Sequence, residues 1–291
     1  MSDVTLRPRR SVLYMPAANE RALDKARDIP ADALIFDLED AVAPDAKEDA
    51  RAKACAALSE GGYGGREIAI RVNGIGTRWH DEDLRAVCAS GPDAVLVPKV
   101  NTVAEVHALE SALAAYGAPV HTQLWAMLES PVAILHAEEI CAASDRLSVL
   151  VMGTNDLIKE LHAQRVSDRQ PLMVGLGLSL LAARSSGKVI LDGVFNDIKD
   201  DEGFAAECRQ GRAMGFDGKT LIHPSQVDAC NEAFAPSPDE IDLARRTIEA
   251  FELASKEGRG VVTVDNRMIE NLHVDESRRI LAIQAAIDAR H

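Results

Sequence analysis

The sequence is short of positive charge, of long apolar runs and of paired cysteines, and each shortage closes a class of function. Lys and Arg total 32 against 46 Asp and Glu, a net charge of −14. A nucleic-acid binder carries the opposite, basic footprint. An anionic small ligand stays open, because charge is local: Arg7, Arg9, Arg10, Arg21, Lys25 and Arg27 outnumber Asp3, Glu20 and Asp24 in residues 1–27. No apolar run reaches about 18 residues, so no membrane span is expected. The opening MSDVTLRPRR lacks the apolar core of a secretion signal. The five cysteines, at 55, 88, 141, 208 and 230, contain no CxxC pair and read as free thiols in a reducing compartment. A cytoplasmic protein is expected.

What is present is a globular composition, 47% apolar and 27% charged over 291 residues. Short β-branched runs alternate with helical stretches. The runs are 11–16 (SVLYMP), 33–40 (ALIFDLED), 68–73 (IAIRVN), 94–100 (AVLVPKV), 123–130 (QLWAMLES), 147–156 (LSVLVMGTND), 189–196 (VILDGVFN) and 219–224 (KTLIHP). Several are nearly continuous in apolar residues, as strands buried on both faces should be. Between them, Val103, Val106, Leu109 and Leu113 recur at helical spacing. Eight such units predict a (β/α)8 TIM barrel. An open doubly wound sheet is the other arrangement, but no GxGxxG follows the first run and no GxxxxGK[ST] occurs. The composition changes after Pro224. A Pro-Ser-Pro break at 236–238 leads to a helical stretch at 241–256, then Gly-rich GRGVVTV at 258–264 and a helical tail from Met268. The expected organisation is a barrel catalytic domain, 1–225, and a C-terminal α-helical lid or oligomerisation extension, 226–291.

In a barrel the chemistry sits where strands end. The run-ends supply Asp37, Glu39 and Asp40, Arg71 and Asn73, Lys99, Glu129, Asp156, Asp192 and Asn196, and His223. A charge in an apolar run is costly to bury unless paired or metal-bound. Glu129 and Asp156 end consecutive runs, so they should lie side by side and suit a hard divalent cation such as Mg²⁺. The alternative is two helix N-caps, at Ser130 and Asp156. No HxxxH pair supports zinc, and His136 with Glu139 reads as a solvated face. Arg71 calls for a carboxylate partner, either the substrate's or Asp37. Lys99 could pair with a carboxylate, orient a substrate oxygen or form a Schiff base.

Nine segments taken in order resemble the citrate lyase β-subunit-like branch of the HpcH/HpaI aldolase/citrate lyase acyl-CoA lyases. They are SVLYMPAANERAL (11–23), FDLEDAV (36–42), RVNG (71–74), PK (98–99), MLESP (127–131), MGTNDL (152–157), LDGVFND (191–197), GFDGKTLIHPSQ (215–226) and VDNRMIENLH (264–273). The resemblance implies Mg²⁺ and coenzyme A thioesters of short hydroxy acids. It casts Glu129 and Asp156 as metal carboxylates, Arg71 as substrate clamp and Asp37 as the acid holding Arg71 or a metal-bound water. Arg21 and Lys25 fall where the family meets CoA phosphates. Asp265 falls where a lid aspartate acts as general acid/base in a neighbouring subunit, which implies a homo-oligomer, a trimer or hexamer. The lid departs from the family pattern: Asp-Gly is replaced by Asp265-Asn266 and Met-Ile-Asp by Met268-Ile269-Glu270. Asn tolerates a left-handed backbone, so the turn should survive.

The expected reaction is cleavage or formation of the C–C bond of malyl-CoA or citramalyl-CoA, with acetyl-CoA and glyoxylate or pyruvate. The alternatives are a malyl-CoA thioesterase on the same site and a citrate lyase β-type subunit of a complex. A phosphoenolpyruvate-type phosphotransferase lacks a recognisable phosphate-transfer motif. Expected partners are acyl-CoA and 2-oxo acids, with neither nucleic acid nor membrane.

Overall fold

The computed structural model describes residues 7–290; the opening MSDVTL and Asp3 of the N-terminal charge reading lie outside them. Two compact units emerge, Arg9–Phe234 and a second containing Arg7, Pro8 and the chain from Ala235.

The first unit is a closed parallel barrel of β1 (Ser11–Pro16), β2 (Ala33–Asp37), β3 (Glu67–Arg71), β4 (Ala94–Val97), β5 (Gln123–Leu128), β6 (Leu147–Met152), β7 (Val189–Asp192) and β8 (Gly218–Leu221), with β8 pairing back onto β1. The connecting helices are α1 (Glu20–Lys25), α2 (Lys47–Glu60), α3 (His80–Ser90), α4 (Val103–Ala115), α5 (Pro131–Leu135), α6 (Ala137–Ala142), α7 (Thr154–Glu160), α8 (Met173–Ser185), α9 (Asp201–Met214) and α10 (Val227–Phe234). The TIM-barrel fold follows from the alternation of strand and helix, and local chemistry sets the ends. Thr102 and Glu105 cap α4 reciprocally, which orients Val106, Leu109 and Leu113 into the core.

Each strand divides its residues between two cores. Val12, Ala33, Ile35, Ala69, Ala94, Leu96, Trp125, Met127, Val149, Val151 and Leu191 fill the bore. Their neighbours in sequence, such as Leu13, Leu34, Ile70 and Leu150, face the helices. Period-two alternation makes this division, and Trp125, fully buried, plugs the bore.

Most of the sequence runs extend past their strands. Glu39, Asn73, Lys99, Glu129, Asp156, Asn196 and His223 lie beyond the last strand residue. Asp156 does not cap a helix; Gly153 is the N-cap and Asp156 sits within the first turn of α7, whereas Ser130 does cap α5. The N-terminal basic residues do not form one cluster. Arg9 and Arg10 precede β1 and are held by Glu67 and Asp32 at 2.6 and 2.9 Å, while Arg27 pairs with Glu60 beyond α1.

The second unit contains α11 (Pro238–Lys256), a hairpin of β9 (Val262–Val264) and β10 (Arg267–Ile269), and α12 (Asn271–Asp288). Met268 is therefore in a strand, and the tail helix begins three residues later. Ser237 and Glu240 form the capping box of α11. Val264, Ile269 and Val274 pack with Leu243, Ile248 and Phe251 as a small core. Among the described residues no helix is long and apolar enough to cross a membrane.

Candidate active site

Alternation carries the apolar layers of the bore up into a polar one. On β2 the inward residues are Ala33, Ile35 and then Asp37; on β3, Ala69 and then Arg71; on β5, Trp125, Met127 and then Glu129, one residue past the strand. Asp37 and Arg71 are partners in register, so the sheet itself builds the pair. Arg71 Nε and Nη2 donate to the two Asp37 oxygens at 2.6 and 2.7 Å, and Nη1 lies 2.9 Å from Glu39. Asp37 also accepts the backbone N–H groups of Glu39 and Ala41. Burial alone would raise the Asp37 pKa, but Arg71 and these donors outweigh it and hold the carboxyl below its usual range. The guanidinium stacks 4.7 Å from the centroid of the Tyr14 ring.

Glu129 faces this pair across a cavity of about 310 Å³ that Tyr14, Met127 and Asp156 also line. Its Oε1 accepts the Lys99 backbone N–H at 2.7 Å. Gly153 presses on the other side: a Cβ there would stand 2.3 Å from Glu129 Cβ and 2.4 Å from Oε2, so only glycine lets this loop approach the carboxylate. Burial, then the charges of Asp156 and Glu39, push the Glu129 carboxyl up to about 8. A hard cation would relieve that repulsion, and Mg²⁺ accepts one or two carboxylates while keeping several waters. Among the described residues no group of three or more His, Cys, Asp or Glu is gathered as a complete metal cage. Two carboxylates completed by water and substrate fit Mg²⁺ and do not fit a closed zinc site.

Lys99 adopts a left-handed backbone, φ 54°, which turns the chain as it leaves the barrel. Burial would lower its pKa, but Asp156, Glu39, Glu129 and Asp40 raise it. A lysine held charged is a poor Schiff-base nucleophile, so its place is electrostatic. Asp192 parts from the other strand-end acids. It follows the inward Leu191 and faces out, where Arg169 and the fully buried Lys219 hold it at 2.8 and 3.0 Å.

Arg21 and Lys25 are exposed on α1, immediately after β1, and neither lines the cavity. Asp265 and Asn266 have φ of 47° and 61° and make the two-residue turn of the β9–β10 hairpin, the conformation expected to survive the loss of glycine. Asp265 is exposed and receives Arg246 Nη1 at 2.9 Å. Tyr14, Met127 and Gly153 belong to the pocket and escaped the sequence reading. Counting back by two from Glu129 finds Met127, and counting forward by two from the inward Val12 finds Tyr14; the closeness of Gly153 is tertiary.

A closed (β/α)8 barrel whose strand ends gather carboxylates around a buried arginine is the plan of a barrel enzyme. The HpcH/HpaI aldolase/citrate lyase family model matches residues 10–224, and the chain belongs to that enzyme family. It is 51% identical to a (3S)-malyl-CoA thioesterase of Cereibacter sphaeroides over 282 residues, covering 97% of this chain and 96% of the relative. It is 38% identical to the citrate lyase subunit beta of Escherichia coli, covering 95% and 93%. Among solved structures it resembles the protein CitE from Mycobacterium tuberculosis in complex with magnesium, acetoacetate and coenzyme A, at a TM-score of 0.76 and 29% identity, covering 94% and 97%.

Proposed function

We propose that the protein acts on the CoA thioester of a short hydroxy acid such as malyl-CoA, with Glu129 and Asp156 holding Mg²⁺. The observation that carries this reading is the mutually repelling carboxylate pair set across one cavity from Arg71. When bound, the cation supplies Lewis-acid stabilisation of negative charge on substrate oxygens.

The chain's own residues do the rest. Gly153 lets the loop approach the Glu129 carboxylate, and Asp37 fixes the plane of Arg71, whose Nη1 is shared between Glu39 and substrate charge. Arg21 and Lys25 take CoA phosphates from the exposed face of α1. Asp265, on the β9–β10 hairpin of the second unit, is the general acid/base and serves a neighbouring copy in a trimer or hexamer. In C–C cleavage the Cα–Cβ bond breaks and its electron pair passes to the thioester α-carbon; Asp265 takes the hydroxyl proton as the 2-oxo acid forms and returns it to that carbon. In hydrolysis water adds to the acyl carbon and the CoA thiol leaves.

The similarity to (3S)-malyl-CoA thioesterases favours hydrolysis; the similarity to citrate lyase β subunits favours C–C cleavage, or work within a complex. Product analysis separates them. The purified protein with malyl-CoA and Mg²⁺ releases free thiol and malate as a thioesterase, or glyoxylate and acetyl-CoA as a lyase; inactivity without a partner protein supports the subunit role. Glu129→Gln should cost on the order of 10³-fold in turnover while the fold persists. Unchanged Mg²⁺ binding by calorimetry in that variant would remove Glu129 from the metal site.

A further inference from the structure

Two hydrogen-bond donors in the pocket converge on one weak acceptor. Tyr14 continues the inward side of β1 after Val12, so its ring stands in the bore and its hydroxyl reaches the cavity. The hydroxyl meets the Met127 thioether at 3.9 Å, and Arg71 Nη1, which also pairs with Glu39 at 2.9 Å, meets the same sulfur at 3.7 Å. A thioether is a weak acceptor, and both distances are long. Two donors facing one soft atom mark a place that an anionic oxygen would occupy far better.

We propose that the Tyr14 hydroxyl and Arg71 Nη1 form a two-donor cradle for the acyl carbonyl oxygen of the thioester substrate. This rests on the reading of the site as acyl-CoA chemistry. It holds for either outcome of that reading, because negative charge gathers on that oxygen when the α-carbon becomes an enolate and equally when water adds to the carbonyl. Tyr14 keeps its proton throughout and donates it as a hydrogen bond. Burial pushes the phenol pKa up, which opposes ionisation. The stacked ring meanwhile restricts the guanidinium, so both donors are aimed before substrate arrives. Glu129 and Asp156 face the cradle from the same cavity, so acyl oxygen and metal-held oxygens are served by different groups.

The test is Tyr14→Phe, which keeps the ring, the stacking and the bore packing and deletes one O–H. With malyl-CoA and Mg²⁺, kcat should fall roughly 10²-fold, the cost of one oxyanion donor. KM should stay within about threefold, because the bond strengthens as charge develops. The thermal midpoint should not move. A kcat within about threefold of wild type overturns the cradle. Should the wild type itself break neither bond of malyl-CoA, the substrate reading fails, and the cradle is judged separately. Acetate without Mg²⁺ then serves as an anionic-oxygen probe in calorimetry. A roughly tenfold weaker Kd in Tyr14→Phe supports the donor role, and equal affinity overturns it.

Discussion

Two charge clusters lie on opposite faces of the same barrel wall. On the outer face, Lys219 Nζ donates to Asp192, Glu207 and the Gly193 carbonyl at 3.0, 2.6 and 2.5 Å, and Arg169 meets Asp192 at 2.8 Å. Two cations answer two carboxylates, and Lys219 and Asp192 are fully buried. On the inner face, Arg71 and Lys99 stand among Asp37, Glu39, Asp40, Glu129 and Asp156, so acid is in excess. The first cluster balances its own charge, and helix α9 covers it through Glu207. The second opens on a cavity and keeps surplus negative charge, the ground on which a cation site is proposed there. Burial of charge is therefore common to both; incomplete neutralisation beside a cavity is what makes the inner one the proposed site.

Three substitutions test that contrast, in descending effect on stability. Lys219→Met leaves Asp192 and Glu207 to Arg169 alone, and should cost about 3–5 kcal/mol in chemical denaturation. Turnover per folded molecule should be retained; a loss beyond the unfolded fraction would erase the distinction between the faces. Arg71→Lys keeps charge but loses the planar fork, so turnover should drop on the order of 10²-fold. Its melting midpoint should fall less than that of Lys219→Met. An equal fall would place Arg71 with the structural cluster.

Asp265→Ala breaks only an exposed pair with Arg246 and should leave the midpoint where it was. Turnover should nonetheless collapse if Asp265 serves a neighbouring copy, and should partly return in mixed oligomers with Glu129→Gln, where some sites hold both residues. Persistent inactivity in verified mixed oligomers would refute the cross-subunit role.

The barrel was legible because eight apolar runs punctuated by helical periods admit few architectures, and the family segments run in order through nearly the whole chain. The rim acids were legible as charges at the ends of apolar runs. Their division was not. Asp37 and Asp192 look alike in sequence, each closing an apolar strand, yet one points into the bore and the other toward α9. Arg9 and Arg10 likewise look like companions of Arg21 until β1 separates them by its length.

By itself the sequence determined the alternation along each strand, and with it which residues share a face. Which of the two faces became the bore was decided by closure of the sheet. The register that pairs Asp37 with Arg71 on one side pairs Asp192 with Lys219 on the other. Adjacent side chains necessarily point to opposite faces, so a single position separates a sealed ion pair from a reactive pocket, and no local stretch of residues encodes where that count begins.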